Sequence, residues 1–178
     1  MSTFRFAIMG AGNIAHQFCD AVTLVEDCEV SAIASKDLGR AQKFAEECSV
    51  AHAYDNYEQM LIEEKPDCVY IAVTPNDHFR LTMLCLERVP VLCEKAMFTN
   101  SAEAKAVFEK AEKDQTFVME AMWSRFLPAV NQAKKWAAEG KIGRLEALQG
   151  RIGFLAPEGA DNRYHSPLLC GGAATDIT

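Results

Sequence analysis

No two of the seven cysteines stand in C-x-x-C spacing, and none of the four histidines falls at ligand spacing to another. Neither a structural metal nor a disulfide framework is therefore expected. Several thiols sit in apolar runs, such as Cys68 before Val69-Tyr70-Ile71 and Cys93 after Val91-Leu92. Free thiols in such settings pack as small hydrophobes, and a reducing cytoplasm is the expected location. Basic residues are in deficit, 18 Lys and Arg against 25 Asp and Glu, for a net charge of −7. That balance argues against nucleic acid or an anionic membrane as partner, while leaving room for a local basic pocket. No apolar run approaches the roughly 20 residues that span a bilayer. The apolar start breaks at Gly10, too early for a signal peptide. Internal repeats and low-complexity segments are also missing. What remains, 178 residues of which 49% are hydrophobic and 24% charged, is an ordinary globular composition long enough to bury a core.

The first fifteen residues are the most informative. Phe4-Arg-Phe-Ala-Ile-Met9 is a short apolar strand that runs into Gly10-Ala-Gly12-Asn-Ile-Ala15, and Ile14, Phe18, Ala21, Val22 and Val25 mark a helix leaving it. A dinucleotide pyrophosphate needs this order of strand, glycine turn and helix. Gly10 permits the tight turn, Gly12 lets backbone amides approach phosphate, and Ala15 allows close packing of helix on strand. Gly10, Gly12, Asn13 and Ile14 are the candidate pyrophosphate contacts.

Strand and helix signals then alternate. Strands are expected at 29–34, 51–54, 68–73, 89–93 and 116–121, and helices at 38–48, 56–64, 78–87 and 101–114, with Asn56 and Ser101 as caps. The almost uninterrupted apolar run from Cys68 to Val73 is what a strand covered on both faces requires. The alternation predicts an α/β fold, a doubly wound, mostly parallel Rossmann domain over residues 1–122. Near Trp123 the pattern changes. A helix is expected from Leu127 to Glu139 and a β-like run from Arg144 to Phe154, so 123–178 reads as the truncated beginning of a second α/β domain.

The end of the second strand discriminates between nicotinamide cofactors. An acidic residue about 20 positions beyond the glycine turn would bind the ribose 2′-hydroxyl of NAD. Ser35 stands there instead, followed by Lys36 and, a helical turn on, Arg40; this group suits a 2′-phosphate and favours NADP over NAD. Asp37 reads as a helix cap. In open α/β sheets ligands bind at the carboxyl ends of the strands, where Thr74-Pro75-Asn76, Glu94-Lys95 and Glu120-Ala-Met-Trp123 supply polar groups; Thr74, Pro75, Asn76, Glu94 and Lys95 are expected to contact the cofactor as well. Lys95, directly after a buried strand, is the candidate for proton exchange near neutral pH, with Glu94 beside it to orient or tune the ammonium.

Gly10-x-Gly12-x-x-Ala15, Thr74-Pro75-Asn76, Cys93-Glu94-Lys95 and Gly171-Gly172…Asp176, in this order, resemble the glucose–fructose oxidoreductase/inositol dehydrogenase (Gfo/Idh/MocA) family. Met119-Glu-Ala-Met-Trp-Ser-Arg-Phe-Leu-Pro128 resembles, more narrowly, its dimeric trans-1,2-dihydrodiol dehydrogenase and NADP-dependent D-xylose dehydrogenase branch. The resemblance implies a Rossmann domain followed by a mixed α/β domain that forms the substrate site and often the subunit interface. It implies Lys95 as proton relay, Asp176 as the family's acidic site residue, and Trp123 and Arg125 near substrate at the domain junction. The implied activity is reversible hydride transfer between a sugar or cyclic diol hydroxyl and NADP, by a homo-oligomer at full length. A non-catalytic nucleotide-binding sensor or regulator is the alternative.

Three features depart from the family pattern. Ala96 replaces the proline that follows the lysine, commonly after a cis peptide, so a different local geometry is expected. The turn glycine before the fifth strand is missing from Glu87-Arg88-Val89-Pro90. Family members run to about twice this length, so the chain reads as a fragment that binds cofactor without turnover and exposes apolar surface over 145–178.

Overall fold

The computed structural model describes residues 3–159 and 162–172. Strands β1 (Phe4–Met9), β2 (Cys28–Ala34), β3 (His52–Tyr54), β4 (Cys68–Ile71), β5 (Val91–Cys93) and β6 (Val118–Glu120) form one sheet in the order β3-β2-β1-β4-β5-β6. Every neighbouring pair is parallel. Helices α1 (Asn13–Val22), α2 (Leu38–Cys48), α3 (Tyr57–Glu64), α4 (Pro75–Cys85) and α5 (Ser101–Asp114) connect the strands, and a 3-10 turn (Trp123–Phe126) leads into α6 (Pro128–Ala138). This is the doubly wound α/β arrangement that the alternation predicts.

The pleat assigns each strand residue to a face. Ala7, Met9, Ala32, Ala34, Val69 and Ile71 join Met60, Leu61, Leu81 and Cys85 of α3 and α4 in one core cluster. Ile8, Ile33 and Tyr70, the residues between them, join Ala15 and Cys19 of α1 and Phe44 and Ala45 of α2 in another. With both faces covered, β4 is buried at every position. Burial pushes the thiols of Cys19 and Cys85 up to about 12 and that of Cys68 to about 11, as befits packing groups. At the amino ends of the strands, buried Glu64 gathers Arg5 Nη2 at 2.8 Å, Tyr54 Oη at 2.6 Å and His52 Nδ1 at 2.5 Å, tying α3 to β1 and β3.

Three expectations change. α4 begins at Pro75 rather than His78, with Thr74 as its cap; proline at the first helical position gives up an N–H that would have no partner anyway. Asn100, rather than Ser101, caps α5, its side chain accepting from the N–H groups of Ala102 and Glu103. The run from Arg144 to Phe154 forms no strand. Its apolar residues alternate only loosely, and a strand persists only where a neighbour completes its hydrogen-bond ladder, which no described segment does here. The turn without glycine closes on two amides, Arg88 and Val89, that both donate to Cys85 O. No helix among the described residues is long and apolar enough to cross a membrane.

Candidate active site

Because all six strands are parallel, their carboxyl ends share one edge, and the strand order reverses between β1 and β4. In open α/β sheets the ligand crevice lies at such a reversal point. The glycine turn leaves β1 there. Gly10 has φ +109°, and a Cβ on it would lie 2.7 Å from the carbonyl oxygen of Ala72; only glycine fits. Gly12 is different, since a Cβ there would meet nothing of the chain nearer than 4.0 Å. The chain therefore leaves room over Gly12, the cradle that a Cβ would partly fill. Gly12 also caps α1, whose first turn, containing Asn13 and Ile14, has no side-chain cap among the described residues.

On one side of the turn lies the end of β2. Ser35 is buried, its Oγ accepting from the N–H of Asp37 at 3.4 Å. Asp37 is the α2 cap, its carboxylate accepting from the N–H of Arg40 at 2.9 Å. The Arg40 guanidinium reaches back to the carbonyl of Ala11, inside the glycine turn, at 3.1 Å. Lys36 is exposed and extends to Asp77 in the first turn of α4, where Nζ lies 2.5 Å from Oδ2. Burial works against the charge on Asp77, but Lys36 and Arg80 prevail and hold its carboxyl below the usual range.

On the other side, β4 and β5 deliver Thr74-Pro75-Asn76 and Glu94-Lys95. Glu94 is buried; Oε1 accepts from the Tyr70 hydroxyl at 2.6 Å and Oε2 from the Lys95 N–H at 3.2 Å. Burial and the Glu94 carboxylate push the Tyr70 hydroxyl far above its ordinary value, so it stays a donor. Its ring stacks on Phe18 with centroids 3.9 Å apart. Lys95 is half-buried. The Lys95–Ala96 peptide is cis, so alanine keeps the geometry that loss of proline was expected to change.

The segment bearing Lys95 is held by its neighbour Glu94 and by two other elements. Glu94 takes the Lys95 N–H, His78 Nδ1 of α4 lies 2.9 Å from the Ala96 carbonyl, and Glu120 of β6 accepts the Met97 N–H at 2.9 Å. His78 is fully buried, and its Nε2 lies 3.1 Å from the Val73 carbonyl. Burial lowers its pKa against the pull of these carbonyls. His78, Tyr70 and Asp77 are site residues the sequence reading missed. His78 and Asp77 follow Thr74-Pro75-Asn76 directly, and recognising proline as the first helical residue would have placed both in the opening turn beside the crevice.

Trp123 and Arg125 lie in the exposed 3-10 turn after β6. Asp176 lies outside the described residues. Among those described, no group of three His, Cys, Asp or Glu could hold a metal. A hollow of about 450 Å³ lined by Arg5, Cys19, Cys28, Ser31, Cys48 and His52 lies away from the crevice, toward the start of β2.

A glycine turn, a helix start and two basic side chains around the reversal point of a parallel sheet define the Rossmann class of dinucleotide-binding folds. The chain belongs to the Gfo/Idh/MocA family, described as an oxidoreductase family with an NAD-binding Rossmann fold, whose model matches residues 4–122. A trans-1,2-dihydrobenzene-1,2-diol dehydrogenase of Mus musculus is 36% identical over 153 residues, covering 84% of this chain and 46% of the relative. One from Danio rerio is 31% identical over 178 residues, covering 97% and 52% respectively. The chain thus spans about half the length of the curated relatives it matches. Among solved structures, an Agrobacterium radiobacter oxidoreductase in complex with NAD+, L-tartaric acid and magnesium superposes with a TM-score of 0.76 at 22% identity, covering 80% of this chain and 42% of its own. A 3-ketoreductase of Actinomadura kijaniata in complex with NADP gives a TM-score of 0.72 at 26% identity, covering 78% and 43%.

Proposed function

We propose that this chain is the cofactor-binding part of an NADP-dependent oxidoreductase acting on a hydroxyl group of a sugar or cyclic diol. Residues 1–122 form the nucleotide domain, and 123–178 begin the substrate and dimerisation domain of a homo-oligomer. The observation that carries the reading is that the glycine turn, Lys36, Arg40 and Lys95 all follow strands at the same carboxyl edge of one parallel sheet, with Arg40 bonded into the glycine turn. Gly12 supports it independently, because none of the described residues uses the room left by its missing Cβ.

In this reading Gly10, Gly12, Asn13 and Ile14 hold the pyrophosphate, Ser35, Lys36 and Arg40 line the 2′-phosphate pocket, and Thr74, Pro75 and Asn76 flank the crevice. When bound, the nicotinamide supplies the hydride chemistry. Lys95 holds or takes the proton of the substrate hydroxyl, and Glu94 fixes the Lys95 backbone. Asp176 completes the polar site, and Trp123 and Arg125 lie on the substrate side. The trans-diol dehydrogenase relatives support the substrate class.

Calorimetric titration with NADPH and NADH tests the cofactor half. NADPH is expected to bind about tenfold tighter or better, through a pocket that charge and hydrogen bonding make selective. Gly12→Val abolishes binding and Lys36→Ala levels the two affinities. Equal affinity in the unmodified chain overturns the NADP assignment. In a protein carrying this chain together with its substrate domain, Lys95→Met is expected to cost about 100- to 10,000-fold in kcat, far more than it weakens NADPH. Binding with no turnover of any polyol favours the sensor alternative.

A further inference from the structure

The ion pair between Lys36 and Asp77 joins the segment after β2 to the first turn of α4, on either side of the glycine turn. Lys36 follows β2 and Asp77 follows β4, and β1, which carries the turn, lies between those strands in the sheet. The bridge therefore spans the crevice at its adenosine end. Its partners are unequal: the Asp77 side chain is 17% exposed and the Lys36 side chain 66%. Arg80 Nε lies 3.4 Å from Asp77 Oδ1, so the carboxylate is held from a second side.

We infer that Asp77 is a specificity-determining residue whose carboxylate competes with the nucleotide 2′-phosphate for Lys36 and limits the preference for NADP over NAD. The inference rests on the cofactor reading above. A 2′-phosphate that reaches the Lys36 ammonium brings its negative charge up to Asp77, and the two anions repel. The 2′-hydroxyl of NAD carries no charge and can donate a hydrogen bond to the same carboxylate. Asp77 thus opposes one cofactor and tolerates or favours the other, while Lys36 does the reverse. The pocket holds both determinants in contact, and the balance between them sets the ratio.

A purely structural role makes a different prediction. An acid in the first turn of α4 complements the helix dipole, and its loss would lower the melting temperature without changing the affinity ratio. Dissociation constants for NADPH and NADH, measured by calorimetry on the unmodified chain, Asp77→Asn, Asp77→Ser and Lys36→Ala, separate these cases. Both Asp77 variants are expected to tighten NADPH about three- to fivefold, the scale of one exposed ion pair, with NADH unchanged or weaker. Serine keeps a residue suited to a helix start and covers a failure of the asparagine variant to fold. An NADPH-to-NADH ratio that is unchanged or lower in both variants overturns the assignment. If neither nucleotide binds, or if Lys36→Ala leaves the ratio untouched, the cofactor reading itself fails and Asp77 falls with it.

Discussion

Gly10 and Gly12 are two letters of one motif with different duties. Gly10 answers to the fold, because φ of +109° and a carbonyl oxygen 2.7 Å from its would-be Cβ exclude any other residue. Gly12 meets no such limit among the described residues, its would-be Cβ having 4.0 Å of clearance, and in the cofactor reading its duty is to the pyrophosphate. Gly10→Ala should therefore destabilise by more than about 1 kcal/mol, seen as a lower melting temperature. Gly12→Ala should cost less than about 1 kcal/mol, the deficit of alanine as a helix cap, yet weaken NADPH about tenfold or more by crowding the pyrophosphate. Equal melting temperatures for the two variants would contradict this division. The spacing alone marks both glycines as special and says nothing about which duty each has. That difference lies in Ala72, brought up by β4 from sixty residues further along the chain.

At the scale of elements, the sequence reads best where chemistry is local. Helix α2 occupies its expected span, Leu38 to Cys48, because Asp37 and the apolar spacing of Ala41, Phe44 and Ala45 leave little choice. The start of α5 is ambiguous by the same logic, since Asn100 and Ser101 are both good caps. The structure uses Asn100, whose Oδ1 accepts two N–H groups at 3.0 Å each. Asn100→Ala should then cost about 1 kcal/mol in urea unfolding, and Ser101→Ala should stay within a few tenths. The reverse order would return the cap to Ser101. The run from Arg144 to Phe154 shows the limit of local reading. Periodicity nominates a strand, but only a partner strand makes one.

At the scale of the whole molecule, the chain is well packed through β6 and open beyond it. Trp123, Phe126, Trp136, Leu148 and Leu155 are all exposed, at 63, 64, 47, 89 and 97%. Apolar surface of this extent drives association. Light scattering should show a mass that rises with concentration, and Phe126→Ser with Trp136→Gln should reduce that rise. A monomer at every concentration would contradict the expectation.

The sequence by itself determined the order of the elements, the doubly wound class and the edge of the sheet at which polar groups collect. Each of these follows from periodicity, capping chemistry or the chirality of parallel connections, all of them local or generic. The tertiary structure decided which polar groups meet. His78 of α4 and Glu120 of β6 meet the backbone that follows Lys95, and Asp77 of α4 reaches Lys36 after β2. Such pairings depend on a few ångströms of register and helix placement between segments distant in the chain, and no spacing within one segment encodes them.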